Sequence, residues 1–593
     1  MLNKKQKEAV EYIEGPLAIF AGPGTGKTTT LQEKFQHLIS KVNVNPKNIL
    51  GLTFTRNTAN ELKNRISKTT KVSPEELHIH TFHSFGLRVV QVNAEKADLQ
   101  SGFTVIDSEK QDQYIHNIFD QIQMPWNTNY IANIRNTLSK AKREQEWEQP
   151  NDFGITEWIT RITKELYPYY QTTLRINNQI DFDDIIIKVN KILRTNPYIL
   201  ENYKEQYQYM LLDEAQDTDN TQKDMINLLK PYNITIVGDP NQSIYKFRGT
   251  NPEFMRNFIE SFDAKEITLE ENYRNPQIII DATSQLISKN PTVFNSNLVS
   301  KSETNLEKIQ VLVTHDELDE AERITNLIEQ KRLEDTAILY RTNAQANVFE
   351  GIFQSKGIPY QNISGMSFYE RKEILDSLAL LTLLCYDDKN AFSRVCSTQR
   401  GLGKRTAEKI IEYAKTLNIT CLEASKIKVT RMTEEQHQTL KRISTLYKDT
   451  EKLEPYRKAE MIITTLLPTQ NTKDKQVRVN TLIQSLKHSN LSIEQFLQKT
   501  QINPNNNKII KLSTLHGAKG KEFEHVFIAG TEEGLLPYSI SEIEEERRLL
   551  YVGMTRAKQT LTLTLVKNRS QDLIRTQQIA SQFLQEFNYK EYL

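Results

Sequence analysis

An open α/β architecture with two parallel sheets, each interrupted by a long helical stretch, is the fold this sequence predicts. Three observations predict it: short apolar runs followed by turns carrying polar chemistry, a glycine-rich turn directly behind the first run, and two long segments of helical periodicity.

Leu17–Phe20, Ile49–Phe54, Tyr209–Leu212 and Ile234–Val237 read as buried parallel strands of a first sheet. Ile309–Val313, Ala337–Leu339, Ile509–Leu515, Val526–Ala529 and Leu561–Val566 read as a second. In such sheets the chemistry belongs just past the carboxyl ends of the strands. Residues 88–200 and 377–505 carry the helical periodicity and read as inserted helical domains. Within the first, Asp181-Phe182-Asp183-Asp184 opens a helix whose acidic residues favour its N-terminal end, a cap without direct chemistry being preferred to a metal site. Within the second, Arg400-Gly401-Leu402-Gly403-Lys404-Arg405-Thr406 is a Gly-x-Gly turn flanked by bases. Such a turn either presents N–H groups to a DNA phosphate or is a plain helix connection, and the residues alone support both.

At 593 residues the chain is too long for one core. Its 76 Lys+Arg against 75 Asp+Glu leave a formal charge of +1, so nucleic-acid binding would need a locally basic channel. Cys385, Cys396 and Cys421 are too few and too scattered for a disulfide framework, a four-cysteine zinc site or an iron–sulfur cluster, and a reducing cytoplasm is expected. The N-terminus lacks an apolar signal core and no apolar run approaches a membrane span, so neither export nor a membrane partner is expected.

The strongest chemical signal is Ala21-Gly22-Pro23-Gly24-Thr25-Gly26-Lys27-Thr28-Thr29. Strand before and helix after make it a P-loop: backbone N–H groups converge on the phosphates of a nucleoside triphosphate, Lys27 reaches the same oxygens, and the Thr28 hydroxyl holds Mg²⁺. Ala21 fills the first glycine's place, as befits a residue still in the strand. Tyr209–Leu212 ends in the carboxylates Asp213 and Glu214, which suit Mg²⁺ binding through water and orientation or deprotonation of the attacking water. The segment Gly238–Gly249 carries Gln242, placed to meet the γ-phosphate or the attacking water. Tyr245, Phe247 and Arg248 follow, offering flat faces to unpaired bases and a charge to the backbone; core packing is the competing reading for one of the two rings. Glu542-Ile543-Glu544-Glu545-Glu546 reads as the solvated first turn of a helix.

The ordered set of strings Leu2–Val10, Ala21–Thr28, Thr53–Asn57, Thr81–Ser84, Asp213–Asp217, Gly238–Gly249, Asn272–Arg274, Leu339–Gln345, Thr514–Phe523 and Arg547–Ala557 resembles the UvrD/Rep/PcrA-like family of superfamily 1 DNA helicases over nearly the whole chain. The resemblance implies two RecA-like parallel-sheet P-loop domains, each with a mainly helical inserted accessory domain. The first would comprise 1–87 and 201–270 with insertion 88–200, and the second 271–376 and 506–593 with insertion 377–505. It implies ATP and Mg²⁺, with Gln6 reading the adenine edge, Tyr273 stacking on the base and Glu522 touching the ribose. Arg274 and Arg556, both expected from the second sheet, would be arginine fingers on the γ-phosphate. It assigns Phe54, His83, Tyr245, Phe247, Arg248 and His516 to a single-strand track. The family usually has Trp where this chain has Phe247, which makes the platform smaller.

The function so implied is an ATP- and Mg²⁺-dependent translocase moving 3′–5′ on single-stranded DNA and unwinding duplex. Its expected partners are single-stranded and tailed duplex DNA and a protein loader, with the chain acting as a monomer or weak dimer. A translocase that strips proteins with little unwinding and a nucleotide-gated DNA-binding module are the alternatives. The short stretch after Leu561–Val566 leads one to expect neither a partner-binding extension nor a fused nuclease.

Overall fold

The computed structural model describes residues 2–122, 128–144, 155–291, 297–304, 306, 308–331, 333–364, 368–399, 401–428, 432–450, 452–467, 473–489, 491–500, 509–571 and 574–587. They fall into two compact units, Met1–Ile280 with Ile287–Glu303, and Asp281–Leu286 with Thr304–Leu593.

The first unit is built on β1 (Leu17–Ala21), β2 (Ile49–Thr53), β3 (Ile79–Thr81), β4 (Tyr209–Leu212), β5 (Asn233–Gly238) and β6 (Lys265–Leu269). They form one parallel sheet in the order β3-β2-β4-β5-β1-β6. Every residue of β1 and β2 is buried, because both faces of the sheet are covered. The period of two divides them between two cores: Ala18, Phe20, Leu50 and Leu52 pack with Phe85, Val189 and Met225, while Leu17, Ile19 and Ile49 pack with Leu31, Phe35 and Leu62. In register, Phe20 lies beside Gly238 and Thr268, and Leu212 beside Ile236. The turns after β1, β4 and β5 therefore open at one edge. Sequence patterning missed β3 and β6, the first too short and the second half exposed.

Helices Ser108–Gln121, Thr128–Glu144 and Ile155–Ile176 enclose their own core of Ile118, Phe119, Ile134, Leu138, Leu166 and Tyr170. The chain returns through Asp181, whose Oδ1 accepts the Asp184 N–H at 3.0 Å at the start of helix Asp184–Thr195. The expected helix-start role is joined by a buried ion cluster: the Lys142 ammonium donates to Asp181 at 2.5 Å and Asp184 at 2.8 Å. The Tyr170 hydroxyl donates to Asp181.

The second unit carries β7 (Gln310–Thr314), β8 (Thr336–Tyr340), β9 (Tyr360–Asn362), β10 (Ile510–Thr514), β11 (Phe523–Ala529) and β12 (Ala557–Val566). They too are all parallel, in the order β7-β12-β11-β8-β10-β9. Helices from Lys372–Cys385 to Ile493–Thr500 lie between β9 and β10 in the chain and bury Leu380, Phe392, Ile410, Leu440, Ile462, Leu482 and Phe496 together. In the Gly-x-Gly turn, Gly401 adopts φ +80° and Gly403 caps helix Lys404–Leu417; Arg400 lies outside the described residues.

One expectation is corrected here. The acidic run does open a helix, Ile543–Met554, but Glu546 is not solvated. It is 4% exposed and accepts both arms of Arg341, at 2.6 and 3.0 Å, because a bidentate guanidinium compensates its burial. No helix among the described residues is long and apolar enough to cross a membrane.

Candidate nucleotide and nucleic-acid sites

Behind β1 the chain turns through Gly24 (φ +67°) and Gly26 (φ +82°) into helix Lys27–Ser40. A methyl at Gly24 would fall 2.6 Å from the Arg274 Cβ, and one at Gly26 would fall 2.6 Å from the Gln6 amide nitrogen. Positive φ and close approach both require glycine there. Ala21 is the last residue of β1, as its place in the pattern suggested. The Thr25 hydroxyl closes the loop on the Gly22 carbonyl at 2.8 Å. Lys27 Nζ is buried and makes no hydrogen bond among the described residues. A buried ammonium without an acceptor at the mouth of an N–H-lined turn is the complement of an anion.

Asp213 follows β4 and Asp239 follows β5, each 3% exposed. Burial, then the neighbouring Glu214, pushes the Asp213 carboxyl up to about 7, against the pull of Lys27. Burial also raises Asp239. Glu214 sits at φ +50°, a strained position for a side-chain-bearing residue. Gln216 joins the two turns: its Nε2 donates to Glu214 Oε2 and its Oε1 accepts the Asp239 N–H at 2.9 Å. Gly238 makes room for it, since a methyl there would lie 2.5 Å from that Oε1. The Gln242 amide donates to Asp239 Oδ2 at 2.6 Å.

Past Gln242 an aromatic cluster forms. Phe54, from the end of β2, stacks on Tyr245 with ring centres 5.2 Å apart, and Tyr245 meets Phe247 edge to face. The Arg248 guanidinium lies 5.1–5.8 Å from all three rings. Tyr245 is mostly covered whereas Phe247 is 56% exposed, so one ring packs and the other presents a face. His83 stacks at 3.8 Å on Phe182, itself 52% exposed. Burial, then Arg143 and Arg248, lowers His83 to about 4, so it is a neutral ring near pH 7.

Gln6 lies against the loop with both ends of its amide engaged. Its Nε2 donates to the Thr25 carbonyl at 2.9 Å and its Oε1 accepts the Asn3 N–H at 2.9 Å, closing a capping box on helix Lys4–Glu11. The turn that carries Tyr273 and Arg274 lies beside the glycine loop and is not a strand of the second six-stranded sheet. Both residues follow the short strand Glu271–Asn272, which pairs with Val299–Ser300 and belongs to the first unit. The Tyr273 N–H donates to the Gly24 carbonyl at 2.9 Å, and Asn272 Nδ2 to the Pro23 carbonyl at 2.7 Å. Tyr273 is 46% exposed, its hydroxyl held by Asn3 and Glu271.

In the second unit His516 lies in the turn after β10, and Glu522 pairs with Lys558 at 2.9 Å. Arg556 is 2% exposed, with its guanidinium donating to the Val552 and Lys521 carbonyls and the Thr555 hydroxyl at 2.8–3.1 Å.

Residues 2–263 match the UvrD/REP helicase N-terminal domain and residues 267–568 the UvrD-like helicase C-terminal domain. The chain belongs to the UvrD/REP helicase family. The two sheets are thus the two RecA-like domains of that family. This UvrD-like helicase is 32% identical to the ATP-dependent DNA helicase PcrA of Leuconostoc citreum over 95% of its own length and 81% of that protein's. It is 31% identical to that of Staphylococcus aureus (strain Mu50 / ATCC 700699) and 32% to that of Bacillus subtilis (strain 168), each over 96% of its own length and 83% of theirs. It is an ATP-dependent DNA helicase, using ATP and binding DNA.

Four residues of this UvrD-like helicase escaped sequence reasoning as contributors: Gln216, Asn272, Phe182 and Lys34. Gln216 and Asn272 act through amides whose partners are distant in sequence. An aromatic between acidic residues, as at Phe182, was the one signal available; nothing in the sequence distinguishes Lys34 from a surface lysine.

Proposed function

We propose that the chain is a motor that steps 3′–5′ along single-stranded DNA and unwinds the duplex ahead of it, with ATP at the glycine loop and the strand on the aromatic cluster. The observation that carries the reading is the Gln216 amide, which ties Glu214 to the backbone of the Asp239 turn, from which the chain runs on to Tyr245 and Phe247.

Lys27 would bind the β- and γ-phosphates together with backbone N–H groups of the loop 22–29. The Thr28 hydroxyl and the Asp213 carboxylate fit Mg²⁺, an oxygen-seeking ion that keeps most of its ligands from water and phosphate. When bound, the ion neutralises charge developing on the transferred phosphoryl group. Glu214 would position and deprotonate the attacking water, and Gln242 would sense the γ-phosphate. Arg274 and Arg556 would stabilise the transition state. Gln6 would hold the loop and meet the adenine, Tyr273 would stack on the base, and Glu522 would touch the ribose. Phe54, His83, Tyr245, Phe247, Arg248 and His516 would line the strand; stacking suits them because every base offers a π-face. The helical segments 88–200 and 377–505 are proposed as accessory domains, and a loader and a monomeric or weakly dimeric state complete the reading.

Two experiments test it. With ATP, 3′-tailed duplexes are expected to be unwound and 5′-tailed ones left intact; the reverse preference overturns the direction, and streptavidin displacement without unwinding favours the stripping translocase. Phe247→Ala is expected to weaken single-strand binding roughly tenfold, since one base-stacking ring is worth about 1–3 kcal/mol. Fluorescence anisotropy with labelled oligothymidylate measures it.

A further inference from the structure

Lys34 lies about two turns beyond Lys27 on helix Lys27–Ser40. Its side chain is 3% exposed, and its ammonium donates to the Ala9 carbonyl at 2.9 Å and to the Tyr12 carbonyl. Those carbonyls belong to the C-terminal end of helix Lys4–Glu11 and its cap, where unpaired carbonyls and the negative end of the helix dipole gather. At the opposite end of the same eight-residue helix, Gln6 holds the Thr25 carbonyl of the glycine loop. The helix is therefore fastened at both ends to the nucleotide-binding element: by Gln6 to its loop, and by Lys34 to its helix.

We propose that Lys34 is a positioning residue for ATP: by clamping the C-terminal end of helix Lys4–Glu11 to the P-loop helix, it holds Gln6 against Thr25 and keeps the glycine loop preformed. The inference rests on the reading of residues 21–29 as the ATP site. It predicts a specific handicap of lysine at this position. The groups facing the ammonium are the Tyr12 ring, 6.0 Å away, and beyond it Lys265, which lies 4.9 Å over the same ring and pairs with Glu8. No carboxylate pairs with Lys34 among the described residues, and burial alone lowers it to about 7. Its charge is present below that pH and lost above it, and a neutral amine holds carbonyls less tightly than an ammonium.

The test is steady-state DNA-stimulated ATPase and fluorescent-ADP binding of full-length wild type, Lys34→Met, Lys34→Arg and Lys27→Ala from pH 6.5 to 8.5. Lys34→Met is expected to raise the KM for ATP about tenfold while leaving kcat and single-strand affinity within about twofold. Lys34→Arg, charged throughout, is expected to keep the low KM and to abolish the rise in KM that wild type shows with increasing pH. Asp213 titrates in the same window in every variant, so the ratio of wild type to Lys34→Arg isolates Lys34. A folded Lys34→Met variant with wild-type KM overturns the clamp, as does a folded one that loses kcat and DNA binding at unchanged KM. If Lys34→Met does not fold, identical pH profiles for wild type and Lys34→Arg overturn it. Undiminished turnover by Lys27→Ala would instead overturn the site itself.

Discussion

Lys27→Ala is expected to reduce DNA-stimulated ATP hydrolysis by at least about 1,000-fold, the scale set by removing a preorganised charge from a transition state. Single-strand binding should stay within about twofold of wild type. The asymmetry follows from placement. Lys27 Nζ is buried and makes no hydrogen bond among the described residues, which leaves it to an incoming anion and to the field around Asp213 and Asp239. The rings of Phe54, Tyr245 and Phe247 are organised by one another and by Arg248. Malachite-green turnover with and without oligothymidylate, beside anisotropy on the same preparation, checks both halves. Equal turnover by variant and wild type would remove the P-loop from the mechanism.

Asp213→Asn is expected to abolish turnover and, in the nucleotide-free protein, to raise the thermal transition of the first unit by a few degrees at pH 8. Asp213 is raised to about 7 by burial and by Glu214. A carboxyl with a raised folded pKa favours the native state most while protonated, and that contribution is lost as pH rises through the folded value. At pH 8 the wild type holds an ionised carboxylate next to Glu214, whereas asparagine holds a neutral amide of the same shape. The gain should shrink towards pH 5.5, where Asp213 is itself protonated. Differential scanning fluorimetry across that range measures it; a stabilisation that does not change with pH, or a loss at pH 8, would show that the carboxylate is not strained. Protonation of the same group is expected to lower wild-type activity as pH drops below about 7.

Much of this architecture was readable because its signals are local. Leu17–Ala21 is a strand on apolar burial alone, and Gly24 and Gly26 mark their turn by the conformations only glycine takes easily. Asp213 and Glu214 were found because carboxylates at the end of an apolar run are chemically conspicuous. What escaped depends on partners far along the chain. Lys34 looks like any lysine on an amphipathic helix until the carbonyls of Ala9 and Tyr12 arrive from another element. Glu546 looks solvated until Arg341 closes on it from more than two hundred residues away. Nothing in the sequence showed that the turn carrying Arg274 lies beside the glycine loop, because a two-residue strand, Glu271–Asn272, has no periodicity to read and its place is set by bonds to Pro23 and Gly24. Ile79–Thr81 was missed for the same brevity.

The bridge made by Gln216 has a thermodynamic corollary. One amide serves both turns, with its nitrogen committed to Glu214 and its oxygen to the Asp239 backbone, so displacement on either side is felt on the other. Linkage then imposes reciprocity: whatever factor the nucleotide imposes on affinity for the strand, the strand must impose on affinity for the nucleotide. Four dissociation constants around one closed cycle are therefore only three independent quantities, and the coupling energy can be weighed from the DNA side without observing a turnover.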